Sequence, residues 1–566
     1  MSIEYERLTQ REHVLKRPDT QLGAVAEQTL TLPAICVNDA GGIGGSFRTV
    51  TTSPAVYKLL DEVLLNAVDN HWRCEQQRYI KLDVTEDGVF KVENDGSTIP
   101  IDYWDKTPYV LGAPPTEALR PQCLFSEFMT GSNFDDSKDR KWAGRNGYGV
   151  KVVNVWSEWF HVEIHDPVSG LIYTQKFTDN MGVVHPPKIT RMKAKTARTI
   201  ISWKPDFTRL GIALPLPQEV LQTLHCRALD VGACTRATLA VHLNGAKLQV
   251  KNLREYTALF ATGADVFRDA TLHDDGTSAF EVCMAPVEAT AKHFVIAFVN
   301  GAQCSQGTHV DMFLRRVADV LKTILTKKLG RAVSVDKDKV REHFSVVLNV
   351  RMDKPTFSSQ IKDRLDTPVK SFGFAYSMAP AFAKRIEKAG AVASMCTQLE
   401  DAESRALQRS VPKTKSSAAN IPKYERALKL GRAPCSLYVT EGDSAKSLTV
   451  AGFGIIGRDH NGVFPLRGKL LNARGANPRQ ILENAELAHL TQILGLTPGK
   501  AEYTDADVKR LKYHKLVIVT DQDDDGSHIL ALLLNWLDYC HRPLLDKYPT
   551  FVQRFVTPLI KAKETP

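Results

Sequence analysis

No uninterrupted apolar run in these 566 residues is long enough to span a bilayer, and the chain does not open on a basic stretch followed by an apolar one. A membrane-spanning helix and a secretory signal are therefore not expected, and a soluble, intracellular protein is. Cys-x-x-Cys pairs are missing, and the ten cysteines are scattered without regular spacing. That distribution fits reduced core thiols and indicates neither a disulfide framework nor a zinc site. Internal repeats and long low-complexity tracts are lacking too. So is a strong charge of one sign: a net +9 is modest for this length, and it permits a polyanionic partner without requiring one. What is present is a hydrophobic fraction of 43%, enough for globular cores. The length exceeds a single core and suggests about three domains.

The most unusual stretch is Asp521-Gln522-Asp523-Asp524-Asp525-Gly526, set between the apolar runs Leu516 to Val519 and Ile529 to Leu537. Its carboxylates repel one another, so either they are solvated or a cation holds them. Oxygen-only ligands favour Mg²⁺ or Ca²⁺. An EF-hand loop would need a bidentate Glu at its twelfth position, where Leu532 stands, and the run before the cluster reads as a strand. An aspartate set at the carboxyl end of a strand suits an α/β metal site better. Taken alone, a solvated acidic turn explains the cluster nearly as well.

Earlier in the chain, Leu59, Leu60, Val63, Leu64, Ala67 and Val68 recur at helical spacing from Tyr57 to Asn70. Glu62, Asn66 and Asn70 fall on one other face of that helix. Asn is a weak choice inside a helix, so two on one face invite a functional reading beside the plain solvated one. Ile80, Leu82 and Val84 then alternate with polar residues, Asp87-Gly88 turns the chain, and Val89 to Glu93 returns as a hairpin that delivers Asn94-Asp95-Gly96 to a strand end. Gly144-Arg145-Asn146-Gly147-Tyr148-Gly149-Val150-Lys151 is glycine-rich and runs into a helix, which lets backbone N–H groups face a phosphate chain.

Together these pieces resemble the Bergerat-type (GHKL) ATP-binding fold shared by gyrase-type topoisomerases, certain chaperones, histidine kinases and mismatch-repair proteins. The resemblance implies Glu62 as general base, Asn66 as Mg²⁺ ligand, Asn70 beside the nucleotide and Asp95 as the adenine contact. Where the family's turn reads Asp-Gly-x-Gly, this chain has Asp95-Gly96-Ser97-Thr98; a left-handed backbone at the last position would strain Thr98. Tyr5 to His13 with Lys16-Arg17-Pro18-Asp19-Thr20 is similar to the N-terminal arm of eukaryotic and viral type IIA DNA topoisomerases, which implies a contact of Tyr5 with the partner subunit's nucleotide. Gly131, Ser132 and Asn133 resemble that family's ribose segment, with Gly131 where serine is common, and Gly144 to Lys151 its phosphate segment.

Beyond about residue 252 the composition shifts to a second αβ unit. His293 to Val299 reads as a strand, and Val310 to Leu329 as an amphipathic helix stopped by Gly330. Lys327, Lys328 and Arg331 at its end complement the helix dipole. Pro355 to Lys362 resembles the loop by which the family's transducer domain reaches the ATP γ-phosphate, with Gln360 and Lys362 as contacts and Ile361 where threonine is usual. Residues from about Arg405 onward, including Lys413-Thr414-Lys415-Ser416-Ser417, read as an exposed linker.

Leu437, Tyr438 and Val439 form a short strand that ends in Glu441-Gly442-Asp443. Glu441 with the Asp521 cluster resembles the TOPRIM pairing of topoisomerases and primases, which implies Glu441, Asp521 and Asp523 as Mg²⁺ ligands with Asp525 supporting. Pro465 to Asn472 is similar to the family's DNA-facing segment, with Lys469 and Asn472 as contacts. The resemblance covers nearly the whole chain in the right order. It implies an α/β and α+β multidomain protein: an arm and GHKL ATPase sandwich over 1–252, an αβ transducer over 253–404, a linker over 405–432 and a Rossmann-like TOPRIM domain over 433–566.

The activity implied is that of an ATP- and Mg²⁺-dependent type IIA topoisomerase. Its ATPase gate forms a homodimer around double-stranded DNA, and the DNA is relaxed or decatenated. Nothing up to Pro558-Leu559-Ile560 resembles the winged-helix setting of a nucleophilic tyrosine, so cleavage is expected to need a further breakage-reunion region or subunit. An ATP-dependent DNA clamp that cuts nothing is the second reading. The expected location is intracellular: the nucleus in a eukaryote, or the host cytoplasm or nucleus for a virus.

Overall fold

The computed structural model describes residues 6–37, 43–112, 114–132, 134, 144, 147–193, 196–261, 263–287, 293–409, 421–476, 478–497, 499–500 and 502–556. Tyr5, Asn133, Arg145, Asn146 and the basic run at 413–417 lie outside the described residues. The chain forms two compact units, Met1–Leu321 with Val335–Ala391, and Lys322–Ser334 with Val392–Pro566.

In the first unit, α1 (Gln10–Lys16) begins at a capping box: the Thr9 hydroxyl accepts from the Glu12 N–H, and the Glu12 carboxylate accepts from the Thr9 N–H. α2 (Ala55–Arg73) buries all six residues of the predicted apolar stripe. β1 (Tyr79–Val84) and β2 (Phe90–Asn94) form the predicted hairpin, turned at Gly88 with φ of 76°. They sit near the middle of a mixed sheet that has nine strands among the described residues. α2, α3 (Gly149–Val155) and the helix Gln218–Cys234 all contribute to the core beneath that sheet. A second sheet, five strands among the described residues, runs in the order Phe267–Leu272, Ser278–Pro286, Phe344–Val350, Val295–Val299, Ala302–Gln303. α4 (Thr308–Leu329) buries Phe313, Leu314, Val317 and Leu321 and stops at Gly330, φ 68°.

The boundary predicted at 252/253 is not a break in packing. Leu253, Tyr256, Cys283, Phe294, Phe298 and Val347 belong to the same buried cluster as α2. Compactness follows burial, and the core runs on through the composition shift.

The second unit is built on β3 (Ser436–Glu441), α5 (Gly442–Ile456), β4 (Asn461–Leu466), β5 (Lys515–Val519), α6 (Asp524–Lys547) and β6 (Val552–Arg554). Their order is β4-β3-β5-β6, with every pairing parallel. β3 leads outward to one side and β5 to the other, so the topological switch point falls between these two strands, where α/β sheets place their ligand crevices. Both ends of the expected linker 405–432 overlap described structure. The helix Gly390–Arg409 runs into its start, and Ile421 and Ala427 near its end are buried in this unit's core. Polar neighbours hid those two apolar anchors in the sequence. No described helix is long and apolar enough to cross a membrane, and all ten cysteines are free.

Candidate functional site

A cavity of about 680 Å³ opens in the first unit against one face of α2. α2 supplies Glu62, Asn66, Asp69, Asn70 and Arg73; the end of β2 and its turn supply Asn94, Ser97 and Thr98. Gly131, Ser132, Gly144 and Gly147 to Lys151 line it as well, and Gln360 and Lys362 reach it from far along the chain. Every described residue predicted for this site is among the lining residues except Asp95.

Glu62 is 9% exposed and forms an ion pair with Lys58, one helical turn earlier. Burial pushes its carboxyl up, but Lys58 and Lys362 more than offset this and hold it below the ordinary glutamate range. It is therefore ionised at neutral pH and able to accept a proton. Space around it is tight: a Cβ on Gly149 would stand 1.8 Å from Glu62 Oε2. Glycine at the first position of α3 is what lets that helix start beside the carboxylate. Gly147 has φ of 67°, and a Cβ there would lie 2.7 Å from the Thr130 carbonyl oxygen.

Lys151 is buried, donates to the Thr130 carbonyl at 2.6 Å, and is pushed down to about 8 by burial, against the pull of Glu127. Asn66 is exposed in the cavity. Asn70 has a mainly structural place. Its Nδ2 donates to Gln77 Oε1 at 2.7 Å and to the Ser97 carbonyl at 3.2 Å, and its Oδ1 accepts from the Ser97 hydroxyl. It pins the turn after β2 to α2.

Asp95, expected at the adenine, already has backbone partners and does not line the cavity. Its Oδ1 accepts the backbone N–H groups of Arg78 at 2.8 Å and Tyr79 at 3.0 Å, so the carboxylate caps the start of β1. Asn94, one residue earlier, lines the cavity instead. Thr98 escapes the anticipated strain. Only Gly96 of that turn is left-handed, with φ of 97°, and the Thr98 hydroxyl donates to Asp166 at 3.3 Å.

Gln360 and Lys362 sit on a narrow hairpin whose base is closed by Thr356 N–H to Thr367 Oγ1 at 2.7 Å and Ser358 N–H to the Arg364 carbonyl at 3.1 Å. Lys362 has φ of 65° and is 8% exposed. Burial lowers its affinity for a proton, Glu62 raises it, and the balance leaves it below the ordinary lysine value. Ile361 turns away from the cavity to Gly23, whose position has no room for a Cβ beside it. Lys58 and Asp69 are the residues the sequence reading missed. Asp69 Oδ2 accepts the Gly144 N–H at 2.9 Å. Both lie at helical spacing from Glu62, one turn before and two turns after, and that spacing was the signal available. Tyr5 lies outside the described residues, while Arg11 ties the arm to the Asp179 and Asn180 carbonyls of its own unit.

The second unit gathers the acidic residues at the switch point. Glu441 ends β3, and Asp521 follows the end of β5, its parallel neighbour. Asp523 caps α6, its Oδ1 accepting the Gly526 N–H at 2.7 Å. A Cβ on Gly526 would lie 2.2 Å from the Asp521 carbonyl oxygen, so glycine permits the tight turn. Burial raises the Glu441 carboxyl; a backbone hydrogen bond from Asp521 opposes this, and Asp523, Asp521 and Asp525 add to the rise. Glu441 Oε2 is buried without a hydrogen-bond partner. Lys469 pairs with Asp525 at 2.8 Å, and Asn472 is exposed at the start of a short turn.

Among the described residues no three His, Cys, Asp or Glu side chains stand close enough to form a coordination set. The donor set nonetheless fits a hard cation: oxygen ligands only, with one buried oxygen left unsatisfied.

Comparison with known proteins finds two family models along the chain. Residues 247–413 match the family model described as DNA gyrase B, and residues 436–555 the Toprim domain. The chain is 35% identical over 581 residues to DNA topoisomerase 2 of Saccharomyces cerevisiae, covering 100% of this chain and 39% of that relative. It is 35% identical to DNA topoisomerase 2 of Pisum sativum, covering 99% and 37%. The ATPase region of Saccharomyces cerevisiae topoisomerase II superposes with a TM-score of 0.61 at 29% identity, over 70% of this chain and 98% of that one. The ATPase and transducer domains of topoisomerase II from Balamuthia mandrillaris give 0.61 at 30%, over 70% and 97%. The chain thus spans 39% of the length of the yeast relative.

Proposed function

Because the chain belongs to the type II DNA topoisomerase family, we propose that it binds and hydrolyses ATP in the α2 cavity and couples hydrolysis to the passage of one DNA duplex through a transient break in another. The observation that carries this reading is the approach of Lys362 to Glu62 within one cavity. Glu62 takes the proton of the attacking water. Lys362 is shared between Glu62 and the γ-phosphate: as it turns to the phosphate, Glu62 loses a stabilising neighbour and becomes a stronger base. Asn66 would hold a Mg²⁺ ion with the phosphates, Asn94 reads the base edge, and Gly144, Gly147 and Gly149 bring backbone N–H groups to the phosphate chain. Release of the phosphate frees Lys362 and its hairpin, the signal passed to the rest of the unit.

At the switch point Glu441, Asp521 and Asp523 would hold Mg²⁺, with Asp525 supporting. The ion when bound supplies charge neutralisation at a leaving 3′-oxygen. Lys469, exposed beside Asp525, and Asn472 meet the DNA backbone. The nucleophile belongs to a breakage-reunion region or subunit beyond these residues. A clamp that cuts nothing is not favoured, because it leaves the acidic switch point without a role. Action on DNA inside the cell, in the nucleus for a eukaryotic source, belongs to the same proposal.

ATP-driven closure of a dimeric gate gives the test. A non-hydrolysable ATP analogue is expected to double the sedimenting mass of the purified chain; a mass that stays that of a monomer at saturating analogue contradicts the gate. Lys151 gives a second expectation. Its folded value of about 8 lies below that of an unfolded lysine. Folding therefore pays a penalty below pH 8 that disappears as pH rises through the unfolded value. A bound polyphosphate favours the ammonium form, so ATP binding near pH 8 should take up protons and weaken as pH rises. Titration calorimetry in two buffers of different ionisation enthalpy measures that uptake, and equal apparent enthalpies would count against it.

A further inference from the structure

At the far end of α2 from Glu62, the Arg351 guanidinium lies 3.5 Å from the centroid of the Trp72 ring. This is close stacking, and it is buried: Arg351 is 6% exposed, with Nε and one terminal nitrogen lacking any hydrogen-bond partner. Arg236 approaches the same ring at 5.2 Å. Burial pulls Arg351 down to about 10, with Asp275 pulling the other way, so it stays charged at neutral pH. Two of its nitrogens lack a hydrogen bond, and beside the attraction of Asp275 the cation rests on the π-face of Trp72.

The positions matter more than the pair. Trp72 lies two residues after Asn70 and directly before Arg73 on α2, the helix that carries Glu62 and Asn66. Arg351 directly follows the strand Phe344–Val350 and leads into the hairpin that carries Gln360 and Lys362. The next residue, Met352, is fixed by reciprocal hydrogen bonds with the Asn300 side chain, at 3.0 Å each. The adjoining Gly301 has room for a Cβ only by crowding Val68 of α2, at 3.0 Å. The root of the hairpin is thus braced against the same helix that bears the base near its middle.

We infer that Trp72 and Arg351 form a latch that positions Lys362 relative to Glu62, registering the phosphate-sensing hairpin on the helix of the general base. Both are positioning residues, and the inference rests on the ATPase reading above. When the stack is lost, the hairpin root shifts along α2 and Lys362 meets the γ-phosphate out of line, while contacts to the base and ribose are untouched.

Steady-state ATP hydrolysis by the full chain tests this, with ADP affinity measured in parallel because ADP lacks the γ-phosphate. Trp72→Leu is expected to lower kcat by about ten- to a hundredfold, the range set by misplacing a reacting group by less than about 1 Å. KM and ADP affinity should stay within about twofold, and Trp72→Phe, which keeps a π-face, should recover most of the rate. Arg351→Leu should match Trp72→Leu, and the double variant should be no slower than either single one. Should Trp72→Leu fail to fold, Arg351→Leu against Arg351→Lys, which keeps the cation, carries the same comparison. An unchanged kcat, additive losses, or a parallel loss of ADP affinity overturns the latch. The wild type and Glu62→Gln are run first: a wild type without turnover defeats the ATPase reading, whereas an active wild type with an unaffected Trp72→Leu defeats only the latch.

Discussion

Glu62→Gln is expected to lower ATP turnover by about 10²–10⁴-fold, the usual contribution of a positioned general base, while ATP still binds. The substitution keeps the shape that Gly149 accommodates and removes only the charge and the proton acceptor. Lys362, which lines the cavity, loses its carboxylate partner and is freer to face the phosphates, so ATP affinity should hold or rise. The acidic limb of kcat/KM, which reports the free enzyme, gives a further handle on the wild type. Lys58 and Lys362 hold Glu62 below the ordinary glutamate range, so turnover should persist to lower pH than an unperturbed glutamate would allow. Equilibrium binding and single-turnover hydrolysis separate the two effects. Loss of binding together with turnover would make Glu62 a structural residue.

Glu441→Gln is expected to weaken Mg²⁺ binding at the switch point by more than the 10–100-fold typical of an outer-shell change, because it removes a ligand charge outright. Glu441 is the member of the set with a buried, unsatisfied oxygen, and its carboxyl is raised by burial and by the three aspartates. A divalent cation reverses that repulsion, so binding should release protons as Glu441 ionises and should tighten with rising pH. Asp523 needs a more careful substitution, since it also caps α6. Asp523→Ala loses the cap, at about 1 kcal/mol, as well as the ligand. Asp523→Asn keeps the cap and removes the charge, so it should reduce metal affinity with little change in Tm. Mn²⁺ binding followed by paramagnetic relaxation measures the affinity, and equal affinity in Glu441→Gln and wild type would remove Glu441 from the set.

Local pattern made much of this legible. The stripe of α2 buries where its periodicity places it, and the β1–β2 hairpin turns at Gly88 as its Asp-Gly pair implies. The glycine loop reaches the cavity because its residues have no Cβ to clash with Glu62 or Thr130. Misses arose where a side chain serves the backbone rather than a ligand. Asp95 is engaged by two N–H groups at the start of β1, which a motif cannot reveal. The union of the ATPase and transducer segments in one core was equally hidden, because it depends on long-range contacts of Leu253, Phe294 and Val347. Glu441 and Asp521 came together through two adjacent parallel strands, and only the family's motif order anticipated that pairing.

ATP hydrolysis by the purified chain, with and without duplex DNA and with Mg²⁺ present, is the most direct test of an ATPase gate coupled to DNA. The expected result is a Mg²⁺-dependent rate that DNA increases in the wild type and that is lost in Glu62→Gln. A rate that DNA leaves unchanged, and that is the same in wild type and Glu62→Gln, would contradict it.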